Sequence, residues 1–383
     1  MKICFSVSVF PALSQTFVTT QVLYAVRQGH EVTVACQDYA PDTPLSEDVR
    51  AALEQVRIVI WPRRKPLLLG LLPTGWADRI VARLRRDLWR RTCDADLVIA
   101  HFGYRGAAVA RAQRGWHGRP PLVTIFHGRD VSVEHRRNGL SRYEGLFDEG
   151  DLHLTVNAPF ADLLVQSGAP AERVATHHLG IPVAQYAFFP PQPRSPYKLL
   201  SVSRLVDKKG LHVAIAALGM LHAAHPGIDW QYAIGGDGPL SDALQQQVID
   251  AGLQDRVAFL GPLSHEQTLH RIAEADALLV PSVTASDGDQ EGIPVTLMEA
   301  MALGTPVCTT RHSGIPELVS HRESGLLSDE HDIEGLCANI LALFQDPALS
   351  TQLATAARRK VENDFNEDRQ NAQLLARCLA LIA

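Results

Sequence analysis

The sequence predicts an α/β protein made of two Rossmann-like domains facing each other across a cleft. Three observations carry this. Short apolar segments of strand length alternate with amphipathic segments of helical period, which is the pattern of βαβ units on a parallel sheet. Pro190, Pro191, Pro193 and Pro196 then interrupt the pattern as a linker would. From Lys198 the same alternation starts again. At 383 residues the chain is long for one domain and comfortable for two, each with its own core.

Strands are expected in the first half at residues 2–9, 31–36, 58–61, 97–101, 122–126 and 152–156, with helices at 16–28 and 105–114 among the amphipathic segments between them. The opening Met1-Lys2 and apolar run, with Ala12-Leu13-Ser14 behind it, imitate a secretory signal. That run is short and rich in Val and Ser, so a first strand fits it better. In the second half, strands are expected at 198–202, 230–235, 257–260, 277–280, 306–309 and 325–327. Helices are expected at 210–225, 240–251, 265–273, 294–303, 332–344 and 347–365. A last helix at 367–382 has no partner strand and is expected to brace the two domains. The domains are therefore placed at 1–188 and 198–365, with a linker at 189–197 and the final helix at 366–383 packing back towards the N-terminal domain.

Composition narrows the function. Net charge is −6, so the molecule as a whole gives no reason to expect nucleic-acid binding. The six cysteines form no CxxC pair and no zinc spacing, which suits a reducing, cytoplasmic compartment. No apolar run approaches the length that spans a bilayer. The first strand is not followed by GxGxxG, which argues against a dinucleotide oxidoreductase.

The most informative segment is Glu291-Gly-Ile-Pro-Val-Thr-Leu-Met-Glu299. Pro294 suits the first turn of a helix. Glu291 then lies in the loop before that helix, and Glu299 lies between its first and second turns. Two acceptors beside a helix N-terminus, where amides and dipole favour an anion, suit a ligand with hydroxyls at both ends and phosphates between. Read as bare spacing, such a pair is more often two solvated N-terminal charges, and it is the context that changes the balance. Ser203-Arg-Leu-Val-Asp-Lys-Lys-Gly210 ends the first strand of the second half, and Arg204 and Lys209 can reach one diphosphate. Gly235-Gly236-Asp-Gly-Pro239 lets backbone amides approach an anion, although the same string makes an ordinary turn. Phe259-Leu260-Gly261 ends another strand, where its backbone can read a base.

Taken in order, SRLVDKKG, GGDGPL, FLG, Pro281-Ser282, the paired glutamates and Gly304-Thr-Pro306 resemble family 4 retaining glycosyltransferases of the GT-B fold. Residues 1–185 are similar in pattern, with Phe126-His127-Gly128 and Gly180-Ile181. The opening Phe10-Pro-Ala-Leu-Ser-Gln-Thr-Phe17 and the string Asp287-Gly-Asp-Gln-Glu-Gly-Ile-Pro294 look most like bacterial exopolysaccharide enzymes of the colanic-acid or amylovoran type. The resemblance implies a hexosyltransferase that uses a UDP-sugar or GDP-sugar donor, UDP-hexose favoured, and a lipid-linked saccharide acceptor. It implies no cofactor and no metal, and it leaves the Asp287-Gly-Asp289 string as a polar loop. By resemblance, Glu299 binds ribose hydroxyls and Glu291 the donor sugar. Arg204 and Lys209 hold the diphosphate, and His127 lies at the donor sugar or the catalytic centre. The expected donor-binding set is Gly236, Leu260, Gly261, Gly292, Ile293, Pro294, Val295 and Glu299, and the acceptor side is Ser14, Thr16 and His101. Pro294 departs from the family, which often has a glycine there to donate an amide to phosphate; the amides of Ile293 and Val295 are the expected substitutes. A sugar-nucleotide epimerase of the same fold and a non-catalytic sugar-nucleotide-binding protein are the competing readings.

Residues 61–91 hold nine Arg and Lys against Asp78 and Asp87, interleaved with Trp61, Trp76, Trp89 and leucines. Such a segment reads either as a surface lying on anionic lipid at the inner face of the plasma membrane or as a helix with a solvated basic face. A lipid-linked acceptor favours the first.

Overall fold

The computed structural model of the chain describes residues 1–12, 15–61, 74–192 and 194–382; of residues 74–79, 81, 82 and 85 it describes the backbone alone. The chain divides into two compact units, Met1–Leu179 with Gln370–Ala383, and Gly180–Arg369. Residues 180–188, which the sequence reading gave to the first domain, thus cluster with the second unit.

The strands of the first unit are β1 (Lys2–Ser6), β2 (Val9–Phe10), β3 (Glu31–Cys36), β4 (Asp38–Tyr39), β5 (Arg57–Ile60), β6 (Leu97–His101), β7 (Leu122–Phe126), β8 (Leu152–Thr155) and β9 (Val174–Thr176). Seven of them form one sheet in the order β5-β3-β1-β6-β7-β8-β9, parallel throughout. Every residue of β6 and β7 is buried, because a parallel sheet is covered on both faces. On β1, Ile3 and Phe5 enter one core while Cys4 enters the other. The strand expected at 2–9 stops at Ser6. The Ser8 carbonyl accepts from the amides of both Gln37 and Asp38, and Val9–Phe10 pairs separately with Asp38–Tyr39.

The helices of this unit are α1 (Thr16–Arg27), α2 (Glu47–Leu53), α3 (Thr74–Thr92), α4 (Gly103–Gln113), α5 (Ser132–Asn138), α6 (Glu144–Glu149) and α7 (Ala158–Gln166). Helix α4 lies close on β7. A Cβ on Gly106 would come within 2.3 Å of the Thr124 side chain, so only glycine permits that approach. Of the basic segment, residues 62–73 lie outside the described residues. Within the rest, Trp61 and Trp89 do not face outwards as a lipid-binding surface would need. Their rings are buried 4.7 Å apart, and the buried Arg105 guanidinium lies 4.9 Å from the Trp61 ring. Ile80 and Leu84 of α3 are exposed.

The second unit has β10 (Tyr197–Val202), β11 (Trp230–Gly235), β12 (Val257–Gly261), β13 (Ala277–Val280), β14 (Val307–Thr310) and β15 (Leu326–Ser328) in the order β12-β11-β10-β13-β14-β15, again all parallel. Its helices are α8 (Leu211–Ala224), α9 (Ser241–Asp250), α10 (His265–Glu274), α11 (Val295–Leu303), α12 (Ile315–Leu318), α13 (Ile333–Gln345) and α14 (Pro347–Asp364). Helices α8 and α13 cover one face and α11 the other, while α14 gives Leu349 and Leu353 to the first core and Ala357 and Val361 to the second. Helix α10 opens on a capping box in which Ser264 and Gln267 satisfy each other's amides. The last helix, α15 (Glu367–Leu379), places Leu374 and Cys378 in the core of the first unit. Among the described residues no helix is long and apolar enough to cross a membrane.

Candidate functional site

Each unit gathers its chemistry at the C-terminal ends of its parallel strands, where open α/β sheets bind ligands. In the second unit, β10 runs into the loop 203–210, β11 into 236–240, and β13 into 281–294. The first two loops are bonded together: Ser203 donates its amide to the Gly235 carbonyl at 3.0 Å, and Leu205 donates to Asp237 at 2.9 Å. Gly236, at φ 126°, donates its amide to the Gly261 carbonyl at 2.8 Å. A Cβ there would lie 1.8 Å from the Ser203 carbonyl oxygen, so the contact requires glycine. The predicted residues Gly236 and Gly261 are thus neighbours, and the loop carrying Arg204 lies beside them.

Lys208 and Lys209 point to the third loop. Lys209 Nζ is 3.0 Å from Glu291 Oε1, and Lys208 Nζ is 3.6 Å from the same oxygen. Lys208 also donates to Asp289 at 3.2 Å and to the Gln290 carbonyl at 3.3 Å. Asp289, half of the Asp287-Gly-Asp289 string, therefore holds a lysine. Burial alone would raise the Glu291 carboxyl, but Lys209 and Lys208 outweigh it and hold the group below the usual range. On its other side, Glu291 donates its amide to His312 Nε2 at 3.0 Å. His312 is fully buried, and its Nδ1 lies 2.6 Å from Glu330 Oε1. Arg204 differs from the lysines: its side chain is exposed, and among the described residues its guanidinium has no hydrogen bond or ion pair.

Helix α11 begins one residue later than expected, with Pro294 as its N-cap rather than in its first turn. Ile293 is a core side chain, whereas Val295 is exposed at the first helical position. The amides that open a helix have no carbonyl four residues back to bond, so they face an incoming acceptor. Glu299 is buried one turn on. Its Oε1 lies 2.7 Å from His265 Nε2, and the Tyr186 phenol feels its charge. The Glu299 partnership raises the His265 imidazole, while burial first and Glu299 second raise the Tyr186 phenol. Since His265 opens α10 just after β12, Glu299 is brought to the strand end that carries Leu260 and Gly261.

In the first unit, His101 closes β6 and His127 follows β7. His101 Nδ1 and His127 Nε2 are 3.1 Å apart. Phe17 lies 4.5 Å and Phe102 4.6 Å from the His127 ring. Phe17 also lies 5.9 Å from the His101 ring, which brings the start of α1, and with it the exposed Thr16, to the histidine pair. Ser14 lies outside the described residues. Asp130 fixes the turn by accepting from the amides of Gly103, His127 and Gly128. Burial pushes His101 down to about 3 and His127 well below its usual value, with a neighbouring histidine adding to each. Both rings are neutral at physiological pH.

The sequence reading thus named both members of the Lys209–Glu291 and His101–His127 contacts and missed the other partners. Lys208, His312, Glu330, His265 and Tyr186 come from scattered positions, and only Lys208, adjacent to Lys209, carried a local signal. In the first unit Phe17 was inside a quoted motif, but its contact with His127 is tertiary.

Comparison with known proteins agrees with this layout. Residues 14–185 match the Glycosyltransferase Family 4 model, and residues 185–360 match Glycosyl transferases group 1. The chain is 35% identical to the amylovoran biosynthesis glycosyltransferase AmsK of Erwinia amylovora, over 98% of this chain and 100% of that protein. It is 32% identical to a glycogen synthase of Mycobacterium tuberculosis, over 88% of this chain and 84% of that one. Among solved structures, HepE of Anabaena in complex with UDP superposes with a TM-score of 0.75 at 21% identity, covering 99% of this chain and 100% of that chain. The two parallel-sheet units therefore have the GT-B fold, and full-length similarity at the level of AmsK makes the chain a member of the family 4 glycosyltransferases.

Proposed function

We propose that this transferase moves a hexose, with retention of configuration, from a nucleoside diphosphate sugar to a lipid-linked saccharide in exopolysaccharide biosynthesis. UDP-hexose is the favoured donor through the similarity to the amylovoran enzyme. The observation that carries the reading is the unengaged positive potential at the strand ends of the second unit. Among the described residues the Arg204 guanidinium has no hydrogen bond or ion pair, Lys209 meets only the Glu291 carboxylate, 3.0 Å away, and the first two amides of α11, those of Val295 and Thr296, are unbonded. These groups suit the diphosphate, Glu299 the ribose hydroxyls and Glu291 the sugar hydroxyls.

In this mechanism the anomeric carbon–oxygen bond to phosphate breaks while the acceptor oxygen bonds to the same face. Negative charge grows on the diphosphate, and the pre-placed cations and amides oppose it. The departing phosphate oxygen takes the acceptor's proton. His127, neutral by burial, serves the donor sugar as a hydrogen-bonding group rather than as a charge. With Arg204 and Lys209 meeting the phosphate charge, transfer is proposed to need no divalent ion.

The test is a transfer assay with labelled UDP-glucose, UDP-galactose and GDP-mannose on a lipid extract from an exopolysaccharide producer, with the anomeric product read by NMR. An EDTA-insensitive product of retained configuration supports the reading. Inverted product, or nucleotide release with a free sugar epimer and no acceptor, overturns it. The anionic-lipid contact of residues 61–91 remains part of the proposal through the basic α3. Binding to anionic vesicles at low salt, lost at high salt, tests it.

A further inference from the structure

Three adjacent strand ends of the second unit are linked by a relay that stops at the Glu291 backbone. Thr284 follows β13, His312 follows β14 and Glu330 follows β15. Thr284 donates its amide to Glu330 Oε2 at 2.7 Å and its hydroxyl lies 3.2 Å from Oε1. The Glu291 amide can only donate, so the His312 Nε2 that it meets at 3.0 Å must be a lone pair. A neutral His312 then carries its proton on Nδ1, aimed at Glu330 Oε1 2.6 Å away. The tautomer is fixed by its two partners. The neighbouring Gln290 is held from the other side, since its side chain donates to Thr284 Oγ1 and its carbonyl accepts from Lys208. The loop that presents Glu291 to Lys209 is thus pinned by a lysine on one flank and by this relay on the other.

We infer that His312, oriented by Glu330, is a positioning residue that sets the place of Glu291 and of the loop leading into α11. This rests on the donor-site reading above, since its value lies in aligning Glu291 and the helix amides with one ligand. His312 touches no ligand itself. If it let go, the Glu291 amide would lose its only side-chain acceptor among the described residues, and the carboxylate would shift against Lys209.

The experiment contrasts two amides at one position. In His312→Gln the side-chain oxygen reaches the place of Nε2 and accepts from the Glu291 amide. In His312→Asn the amide group reaches only the place of Nδ1, keeping Glu330 and losing Glu291. Calorimetry with UDP and GDP on the full chain is expected to show about tenfold weaker binding in His312→Asn and recovery to within about threefold of the parent in His312→Gln. Glu330→Ala, at a part-exposed site, is expected to fall in the same direction as His312→Asn. Nitrogen NMR of the unliganded protein is expected to show His312 protonated on Nδ1, with the Glu291 amide exchanging faster in the Asn variant than in the Gln variant. Equal affinities and equal exchange in the two variants, or a proton on Nε2, overturn the inference. A parent protein that binds neither nucleotide refutes the donor-site reading instead, and the exchange and NMR results then decide the positioning alone.

Discussion

Glu291→Gln keeps the shape of a buried side chain and removes its charge, which makes it the sharpest perturbation of the second unit. Lys209 Nζ lies 3.0 Å and Lys208 Nζ 3.6 Å from the carboxylate oxygen, and all three side chains are between 11% and 15% exposed. At an effective dielectric of about 20, a pair 3.0 Å apart gains roughly 5 kcal/mol before desolvation is charged against it. Removing one partner of such a buried pair costs about 3–5 kcal/mol, because the remaining charge stays buried without its counter-ion. Asp289, 3.2 Å from Lys208, still compensates one of the two lysines, so the lower end applies. A loss of about 3 kcal/mol in a domain of this size lowers its Tm by roughly 6–12 °C. Differential scanning calorimetry of parent and variant near pH 7 measures it. The sign with pH also follows. The folded carboxyl is held below its unfolded value of about 4.3, so its contribution is complete above that value and is lost as pH falls through the folded pKa. The gap between parent and variant is therefore flat from pH 6 to 9 and shrinks below about pH 4. A Tm change under 2 °C, or a gap that widens on acidification, refutes the reasoning.

Other outcomes follow from the same geometry. Arg204→Met leaves the unfolding free energy within about 0.5 kcal/mol of the parent, since the side chain is exposed and among the described residues has no hydrogen bond or ion pair, yet weakens nucleoside diphosphate binding ten- to hundredfold in a titration. Gly236→Ala places a Cβ against the Ser203 carbonyl at a left-handed φ and costs roughly 2 kcal/mol or more, read as a lower Tm of the second unit. In the first unit, His101 and His177 are pushed down to about 3 and His153 to about 4 by burial, whereas the unfolded chain binds these protons near 6.5. Stability from these rings is complete above pH 6.5 and falls as pH drops towards the folded values, by about 2 kcal/mol per ring at pH 5. Hydrogen exchange at pH 7 and pH 5 should show protection lost first around β6, β7 and β8.

The parallel strands were legible because burial on both faces demands continuous apolar runs, as in Leu97–His101 and Leu122–Phe126. Val174–Thr176 was not, because a three-residue edge strand of half-buried side chains carries no such run. Helices Ser132–Asn138 and Glu144–Glu149 span two turns or fewer, too short for a period to show. At the site, Glu291, Glu299, Arg204 and Lys209 were singled out by the ordered motifs and their resemblance to a family rather than by spacing alone, and each sits beside a strand end or a helix start. His312 and Glu330 could not be found that way. They face Glu291 only because β13, β14 and β15 lie side by side, and that adjacency is a property of the sheet rather than of any segment.

The central claim is that the strand ends of the second unit bind a nucleoside diphosphate through Arg204, Lys209, Glu291 and Glu299. Calorimetric titration of UDP and of GDP into the parent and into Glu299→Ala, each with and without EDTA, tests it most directly. The account predicts one-site binding of one of the two nucleotides, insensitive to EDTA and about tenfold or more weaker in the variant. Absence of heat with both nucleotides, or equal affinity in parent and variant, would contradict it.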